Sequence, residues 1–343
     1  MQLLIGIFLV SLCCSVVVAQ LPERVVNLAI SVSRETASDF LNTNGKAVLG
    51  GLQYFAERAN SWNITADNQT IKFAVTYLED HGNSTIVKQN YKNFVNDTSV
   101  DFMFGPVTSP LSRVAKSVTE PAKRLLIGTK VGSQSFYSGA DYSFSVTTSP
   151  PRYATTTLPE FRLSKIKKIL IVAEDTPFQV DIGKGFVTNA KDYDVEVVGS
   201  TIYVLSDTLN GIDQTFINNI TNTVRKVVDI DAEIGFDAVA LMSFSNVGKQ
   251  FLTAMRDLDY TPKAIYISAL FVPDFEVYDP QLTAYVSGCD VMAPGINFLD
   301  NYFTSYNKFI EDYNAAHPGE SADANHAIGT LFLKIEIQNF VKN

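Results

Sequence analysis

The chain has 343 residues, of which 46% are hydrophobic and 18% charged, a composition typical of a globular protein of about two domains and not of a disordered or fibrous chain. With 27 Lys and Arg against 36 Asp and Glu, its formal net charge at pH 7 is −9. An acidic chain lacks the excess of cations that neutralises nucleic-acid phosphates, so nucleic acid is not expected as a partner.

The first element in chain order is an apolar N-terminal segment. Residues 3–18 are almost wholly apolar, and the small residues Val17 and Ala19 stand three and one positions before a cleavage point that precedes Gln20. The segment is shorter than the ~20 residues of a membrane-spanning helix and has the features of a secretory signal peptide. We therefore expect residues 1–19 to be a signal peptide, with a signal anchor as the alternative, and no membrane span after them.

Glycosylation motifs also favour an exported protein. Asn-x-Ser/Thr sequences, the acceptors for N-linked glycans, begin at Asn63, Asn68, Asn83, Asn96 and Asn219. Four of the five lie within residues 63–96. Because such sequences also arise by chance, they predict a glycosylated face without identifying which of them are used.

The cysteines predict no internal disulfide in the mature chain. Cys13 and Cys14 lie within the predicted signal peptide, which leaves Cys289 alone. We expect Cys289 to be a small buried side chain, with an intermolecular bridge as the alternative.

Strands and helices are predicted to alternate from residue 25 to residue 148. Short runs of β-branched and other apolar residues predict strands, and apolar residues at helical spacing predict helices. The predicted strands cover residues 25–33, 71–78, 100–107, 125–129 and 142–148, and the predicted helices cover residues 46–60, 85–95 and 110–120. Ser149-Pro150-Pro151 then predicts a break in regular structure and a boundary between two lobes.

A second alternating series follows. Its predicted strands cover residues 168–173, 195–204, 236–242 and 264–268, and its predicted helices cover residues 178–190, 213–228 and 247–258. Apolar strands separated by helices of this length are typical of parallel sheets covered on both faces. We therefore predict an α/β protein of two lobes, each a parallel sheet flanked by helices. Residues 25–148 and 274–343 would form lobe one, and residues 149–273 would form lobe two.

Motifs of catalysis are missing from the sequence. His81, His317 and His326 stand far apart and have no zinc-binding spacing, and neither a Gly-x-Ser-x-Gly elbow nor a glycine-rich phosphate or dinucleotide loop occurs. No metal and no cofactor are expected. Acid pairs at two strand ends, Glu79-Asp80 and Glu174-Asp175, keep an α/β enzyme with cleft carboxylates as an alternative.

Several short sequences, taken in order, carry a resemblance to a known family. They are GGLQYFA at 50–56, YLED at 77–80, FGPVTS at 104–109, LLIGT at 125–129, VAEDTPF at 172–178, FDAVA at 236–240 and a late helix predicted at 327–337. In this order they resemble the type 1 periplasmic binding protein fold. That family includes leucine/isoleucine/valine-binding proteins and the extracellular ligand-binding regions of receptors. The resemblance covers residues 25–340.

The resemblance implies a cleft between two lobes that closes on a small ligand without catalysis. It also implies ligand contacts. On lobe one, Ser109, with Thr108 beside it, and Ser133 or Gly132 would hold the acceptor end of the ligand. On lobe two, Phe178 would lie against the ligand, since Phe178-Gln179 stands where the family has the Tyr-Gly of an Asp-x-x-Tyr-Gly motif.

The chain departs from the amino-acid-binding members of this family. Those members place acids near the hinge and in lobe two to pair the ligand ammonium, because a buried cation without a partner is costly. Here the corresponding stretches read TSPP at 148–151 and SAL at 268–270. A neutral or anionic solute, or no small ligand, is therefore expected in place of an α-amino acid.

The overall expectation is a secreted or cell-surface solute-binding domain that closes on a small-molecule ligand. It would be the ectodomain, or a truncated ectodomain, of a receptor or uptake system. Contact with a membrane would come only through a missing downstream segment or a partner, and a homodimer is one expected assembly. A protein-interaction module with a non-functional cleft is a further alternative.

Overall fold

The computed structural model describes residues 21–145, 147–199, 203–205, 213–269, 286–288, 305–323 and 326–327. The predicted signal peptide, Cys289 and most of the helix predicted at 327–337 lie outside these residues. None of the helices in these ranges combines the length and the apolar composition that crossing a membrane requires.

The first sheet has the strand order β2-β3-β1-β4-β5-β6. Its elements are β1 (Glu23–Val32), α1 (Asp39–Ser61), β2 (Thr65–Ala66), β3 (Gln69–Glu79), α2 (Ser84–Asn96), β4 (Val100–Phe104), α3 (Ser109–Thr119), β5 (Leu126–Gly128), α4 (Gln134–Tyr137) and β6 (Ser143–Ser145). All neighbouring strands are parallel except β2 and β3, which form an antiparallel pair at one edge.

The second sheet has the order β12-β11-β10-β7-β8, and β9 also pairs with β7. Its elements are α5 (Pro151–Leu163), β7 (Lys168–Glu174), α6 (Pro177–Asn189), a 3₁₀ helix (Ala190–Tyr193), β8 (Glu196–Val197), β9 (Tyr203–Leu205), α7 (Gln214–Ile234), β10 (Ala238–Phe244), α8 (Ser245–Asp257), β11 (Ala264–Ala269) and β12 (Val286–Gly288). All of these strand pairs are parallel.

Both sheets are covered by helices on both faces. In β1, Leu28 and Ile30 belong to the core beneath α1, whereas Ala29 belongs to the core beneath α2 and α3. In β7, Leu170 packs towards α7 and α8, whereas Ile171 packs towards α5 and α6. This alternation follows from the two-residue period of a strand. The predicted α/β class, with a helix-flanked parallel sheet in each lobe, is confirmed.

Helix α1 begins earlier than the predicted residue 46. The Leu41 N–H donates to the hydroxyl of Ser38, which caps the helix. Gly45 lets the first turns of α1 pass over the end of β1, because an added Cβ would stand 2.2 Å from the carbonyl oxygen of Ser33. A glycine that is unfavourable for a helix is therefore required by packing.

The break predicted at Ser149-Pro150-Pro151 is short, because residues 147–150 lie outside helices and strands but a helix follows them at once. Helix α5 begins at Pro151 and packs on α6 in the second lobe. Proline at the first position of a helix loses no hydrogen bond, because the N–H at that position has no helical partner. The proline pair thus begins a helix that the sequence analysis did not predict.

Two further predictions need correction near the second sheet. The strand predicted at 195–204 is replaced in the described residues by two short strands, β8 and β9. Val286–Gly288 pairs with β11 in the second sheet, so placing all residues from 274 onwards in lobe one is wrong for this strand. Helix α9 (Tyr306–Ala316) does pack on lobe one, where Phe309 and Tyr313 contact Tyr54 of α1. The other domain limits stay predictions.

Candidate functional site

Two loops of lobe one meet at the carboxyl ends of β4 and β5, which are parallel neighbours. The N–H groups of Gly132 and Ser133, in the second loop, both donate to the hydroxyl oxygen of Ser109, in the first loop, each at 3.4 Å. Ser109 and Ser133 are buried. These bonds are longer than the usual 2.9–3.0 Å of N–H···O hydrogen bonds.

Side-chain hydrogen bonds hold the two loops in place. The Ser112 hydroxyl donates to the carbonyl of Pro106 (2.7 Å), and the Thr129 hydroxyl donates to the carbonyl of Gly105 (3.0 Å). Thr108 caps helix α3, with its hydroxyl accepting from the Leu111 N–H (3.4 Å). The Thr108 side chain therefore stabilises the helix start that presents Ser109.

Lobe two contributes Phe178, in the first turn of α6. The ring of Phe178 is half-buried, lies edge-on to Tyr153 with centroids 5.7 Å apart, and stacks on Phe244 with centroids 6.2 Å apart. An added Cβ at Gly132 would stand 2.6 Å from Cε2 of this ring. The ring thus covers Gly132 directly across the junction of the lobes.

The structure brings the five residues predicted from the sequence to one junction. Ser109, Gly132 and Ser133 form one hydrogen-bonded group, Phe178 covers that group from lobe two, and Thr108 supports it from behind. Their role in binding a ligand stays a prediction.

Two other contacts join the lobes at this junction. Phe40, in the first turn of α1, lies 4.7 Å from Phe244 between ring centroids. The N–H of Gln134 donates to the carboxylate of Asp181 on α6 at 2.8 Å. The sequence analysis did not single out these residues. Phe40 lies in the helix start that follows β1, and Phe244 is the last residue of β10, so both stand at the carboxyl end of a parallel strand, and that position is the signal that could have found them.

The strand-end acids of lobe one are engaged within the chain. Burial raises the pKa of Asp80 above its ordinary value, although hydrogen bonds from the Ser33 and Ser31 hydroxyls and the Gly82 N–H lower it. Burial also opposes ionisation of Glu79, but hydrogen bonds, led by that from the Arg34 N–H, outweigh it and leave the pKa of Glu79 below its ordinary value.

A polar network lies at the strand ends of lobe two. Its members are the side chains of Gln179, Ser243 and Ser268, all with 0% exposure. The Ser268 hydroxyl donates to Oε1 of Gln179 (2.6 Å) and accepts from the Ser243 N–H (3.1 Å). Gln179 stands where the family motif has glycine, and this departure, for which no role was predicted, is the sequence signal of the network.

The five asparagines of the glycosylation motifs, Asn63, Asn68, Asn83, Asn96 and Asn219, are all exposed. Asn83 also caps helix α2, because its side-chain oxygen accepts from the N–H groups of Thr85 (2.8 Å) and Ile86 (3.3 Å). Modification of these side chains stays a prediction.

Comparison with known proteins gives one family and one fold. A family model described as a periplasmic binding protein matches residues 34–334. An ABC transporter substrate-binding protein from Desulfitobacterium hafniense has a similar structure, with a TM-score of 0.71 and 11% identity over 93% of this chain and 85% of that chain. A leucine binding protein from Thermotoga maritima MSB8 has a TM-score of 0.65 and 14% identity over 92% and 83%.

A third similar structure is a branched-chain amino acid transporter substrate binding protein from Streptococcus pneumoniae, solved in complex with isoleucine. Its TM-score is 0.65, and it is 16% identical over 93% of this chain and 88% of that chain. At these identities the similarity to solved structures is one of fold.

Proposed function

The chain belongs to the periplasmic binding protein family, and on that premise we propose that it binds a small extracellular solute between its two lobes and closes on it without chemical reaction. The observation that carries this proposal is the meeting of the Ser109, Gly132 and Ser133 group with Phe178 across the lobe junction. Hydrogen-bond donors face an aromatic ring at that point.

The donors suit the acceptor end of a solute, such as a carboxylate. The Ser109 hydroxyl and the N–H groups of Gly132 and Ser133 converge, and Ser109 is the first residue of α3, where the helix dipole favours negative charge. Phe178 would cover the apolar part of the solute, since an aromatic ring buries a large apolar area. Thr108 would act by holding Ser109 in place.

Closure would use the contacts that already join the lobes. Phe178 on Gly132, Phe40 with Phe244 and the Gln134–Asp181 hydrogen bond define a closed arrangement. A solute that contacts both lobes binds this arrangement better than an open one, and therefore shifts the population towards it.

We propose a neutral or anionic solute in place of an α-amino acid. The proteins from Desulfitobacterium hafniense and Streptococcus pneumoniae were solved with leucine and isoleucine, but the stretches at 148–151 and 268–270 of this chain contain no acid. Glu79 and Asp80, acids at a strand end, are already engaged with this chain's own donors. Glu174, buried at the end of β7, likewise accepts the Phe244 N–H at 2.8 Å. Those engagements also argue against the enzyme alternative with cleft carboxylates.

We also propose that the protein works outside the cytoplasm, as part of a receptor or uptake system. The apolar segment at 1–19 and the exposed asparagines of the five glycosylation motifs support this.

A thermal-shift screen against a metabolite library tests the binding function. A compound at about 100 times its Kd adds about 2.7 kcal/mol to the free energy of unfolding. For each hit, calorimetry compares the native protein with Ser109→Ala and with Ser117→Ala, an exposed serine of the same helix. We expect about ten-fold weaker binding for Ser109→Ala and no change for Ser117→Ala. A library without a single stabilising compound contradicts the proposal.

A further inference from the structure

The lobe-two side of the junction holds two buried donors without a protein partner. Nε2 of Gln179 and Oγ of Ser243 have no hydrogen-bond partner among the residues that the structure describes, and both side chains have 0% exposure. A buried donor left unpaired costs free energy comparable to a lost hydrogen bond. Each is therefore expected to have a partner that this part of the chain does not supply.

The orientation of the Gln179 amide follows from its neighbour. The Ser268 oxygen accepts the Ser243 N–H at 3.1 Å. Its hydroxyl hydrogen has two acceptors within reach, the Gln179 amide at 2.6 Å and the Ser243 carbonyl oxygen at 3.3 Å, and the shorter contact shows that it donates to the amide. A donated hydrogen requires the amide oxygen on that side. Nε2, with its two hydrogens, consequently points away from Ser268.

These donors adjoin the aromatic contacts between the lobes. Gln179 follows Phe178, whose ring covers Gly132, and Ser243 precedes Phe244, whose ring contacts Phe40. The rings of Phe178 and Phe244 stack on each other. Gln179 lies in the first turn of α6, directly after β7, and Ser243 is the next-to-last residue of β10, so both donors belong to the carboxyl edge of the second sheet, where ligands of parallel α/β sheets bind.

We propose that Gln179 and Ser243 are specificity-determining residues for the lobe-two end of the solute. The inference rests on the proposed solute-binding function. Two neutral donors match a neutral acceptor oxygen, because a second buried charge costs more than a buried carbonyl or hydroxyl. An ammonium group, itself a donor, would meet Nε2 of Gln179, which can only donate. The solute we expect is a small carboxylic acid: its carboxylate binds lobe one, and its other end carries a keto, amide or hydroxyl oxygen that binds lobe two.

Four small probes test the class by calorimetry: 4-oxopentanoate, pentanoate, glutarate and leucine. Pentanoate lacks only the keto oxygen, glutarate replaces the ketone with a second carboxylate, and leucine adds an ammonium. Each is measured with the native protein, Gln179→Met, Ser243→Ala and the control Gln214→Met, which changes an exposed glutamine at the start of α7 in lobe two. If Gln179→Met does not fold, Ser243→Ala, which removes an oxygen without a described partner, carries the test.

We expect the native protein to bind 4-oxopentanoate about ten-fold more tightly than pentanoate, glutarate or leucine. The preference over pentanoate should fall towards one in Gln179→Met and Ser243→Ala and persist in Gln214→Met. If Gln179 and Ser243 had only a structural role, their substitution would weaken the binding of all four probes equally. The ratio of the affinities for 4-oxopentanoate and pentanoate would then stay unchanged.

The assignment is overturned if the native protein shows no preference, if the preference survives both variants, or if leucine binds best. It is also overturned if none of the four probes binds while a compound from the metabolite library does. In each of these outcomes at least one compound binds, so the proposed solute-binding function itself is not contradicted. Failure of every probe and every library compound overturns that function itself.

Discussion

Phe178 and Gly132 are in contact across the lobe junction, so closely that a Cβ on the glycine would stand 2.6 Å from Cε2 and 2.8 Å from Cδ2 of the ring. Real Cβ atoms essentially never approach a neighbour to less than 3.0 Å. The absence of a side chain at residue 132 is therefore a condition for the two lobes to meet in this way.

Gly132→Ala is expected to destabilise the closed arrangement. The added methyl overpacks the contact, which typically costs about 1–3 kcal/mol, and the protein can relieve it by separating the lobes. Small-angle X-ray scattering should show a larger radius of gyration, and urea unfolding should show a lower free energy of unfolding.

Phe178→Ala supplies the control, because it removes the ring that the methyl would meet. In that background the cost of Gly132→Ala should fall to a few tenths of a kcal/mol, the range expected of uncoupled changes. An equal cost in both backgrounds would mean that the contact with Phe178 is not what excludes a side chain at residue 132.

Phe178→Ala alone separates a site residue from a core residue. The Phe178 ring is half-buried, whereas Phe186, on the same helix, has 0% exposure. We expect Phe186→Ala to lower the free energy of unfolding by about 3–5 kcal/mol and Phe178→Ala to lower it by roughly half of that, in proportion to the apolar area lost. Urea titration of the ligand-free variants measures both, and equal losses would make Phe178 an ordinary core residue.

The neighbouring acids Glu79 and Asp80 should affect the pH dependence of stability with opposite signs. The pKa of Asp80 is raised in the folded protein, so its contribution to stability is fully present below its unfolded pKa of about 3.9 and is lost as pH rises through its folded pKa. The pKa of Glu79 is lowered, so its contribution is present above its unfolded pKa of about 4.3 and is lost as pH falls through its folded pKa.

Urea unfolding of Asp80→Asn and Glu79→Gln between about pH 3 and pH 7 checks these signs. The stability advantage of the native protein over Asp80→Asn should shrink as pH rises, and its advantage over Glu79→Gln should grow. Parallel curves for the two variants would contradict the opposite shifts.

Much of the fold could be predicted because it depends on local periodicity. The strand at 168–173 and the helix at 178–190 are confirmed to within one residue at each end as β7 and α6, since an apolar run and a helical spacing are written in consecutive residues. Helix α5 was missed because a proline pair is compatible both with a break and with a first helical turn, and only packing against α6 decides between them.

The candidate site was only partly predictable. Ser109 and Ser133 could be singled out by their position after strands and by family resemblance. The Gln179–Ser268 hydrogen bond could not be predicted, because it joins the first turn of α6 to the end of β11, 89 positions away in the chain. Local sequence patterns give no information about contacts between residues so far apart in the chain.

The sequence by itself determined the α/β alternation, the parallel sheets with helices on both faces, and the donors and aromatic residue that follow particular strands, because these depend on residues close together in the chain. Only the tertiary structure decided that Gly132 lies beneath Phe178, that the Gln134 N–H meets Asp181, and that Val286–Gly288 joins the second sheet. Each of these depends on how the strand ends and helix starts of separate segments come together, and that is set by packing of the whole chain.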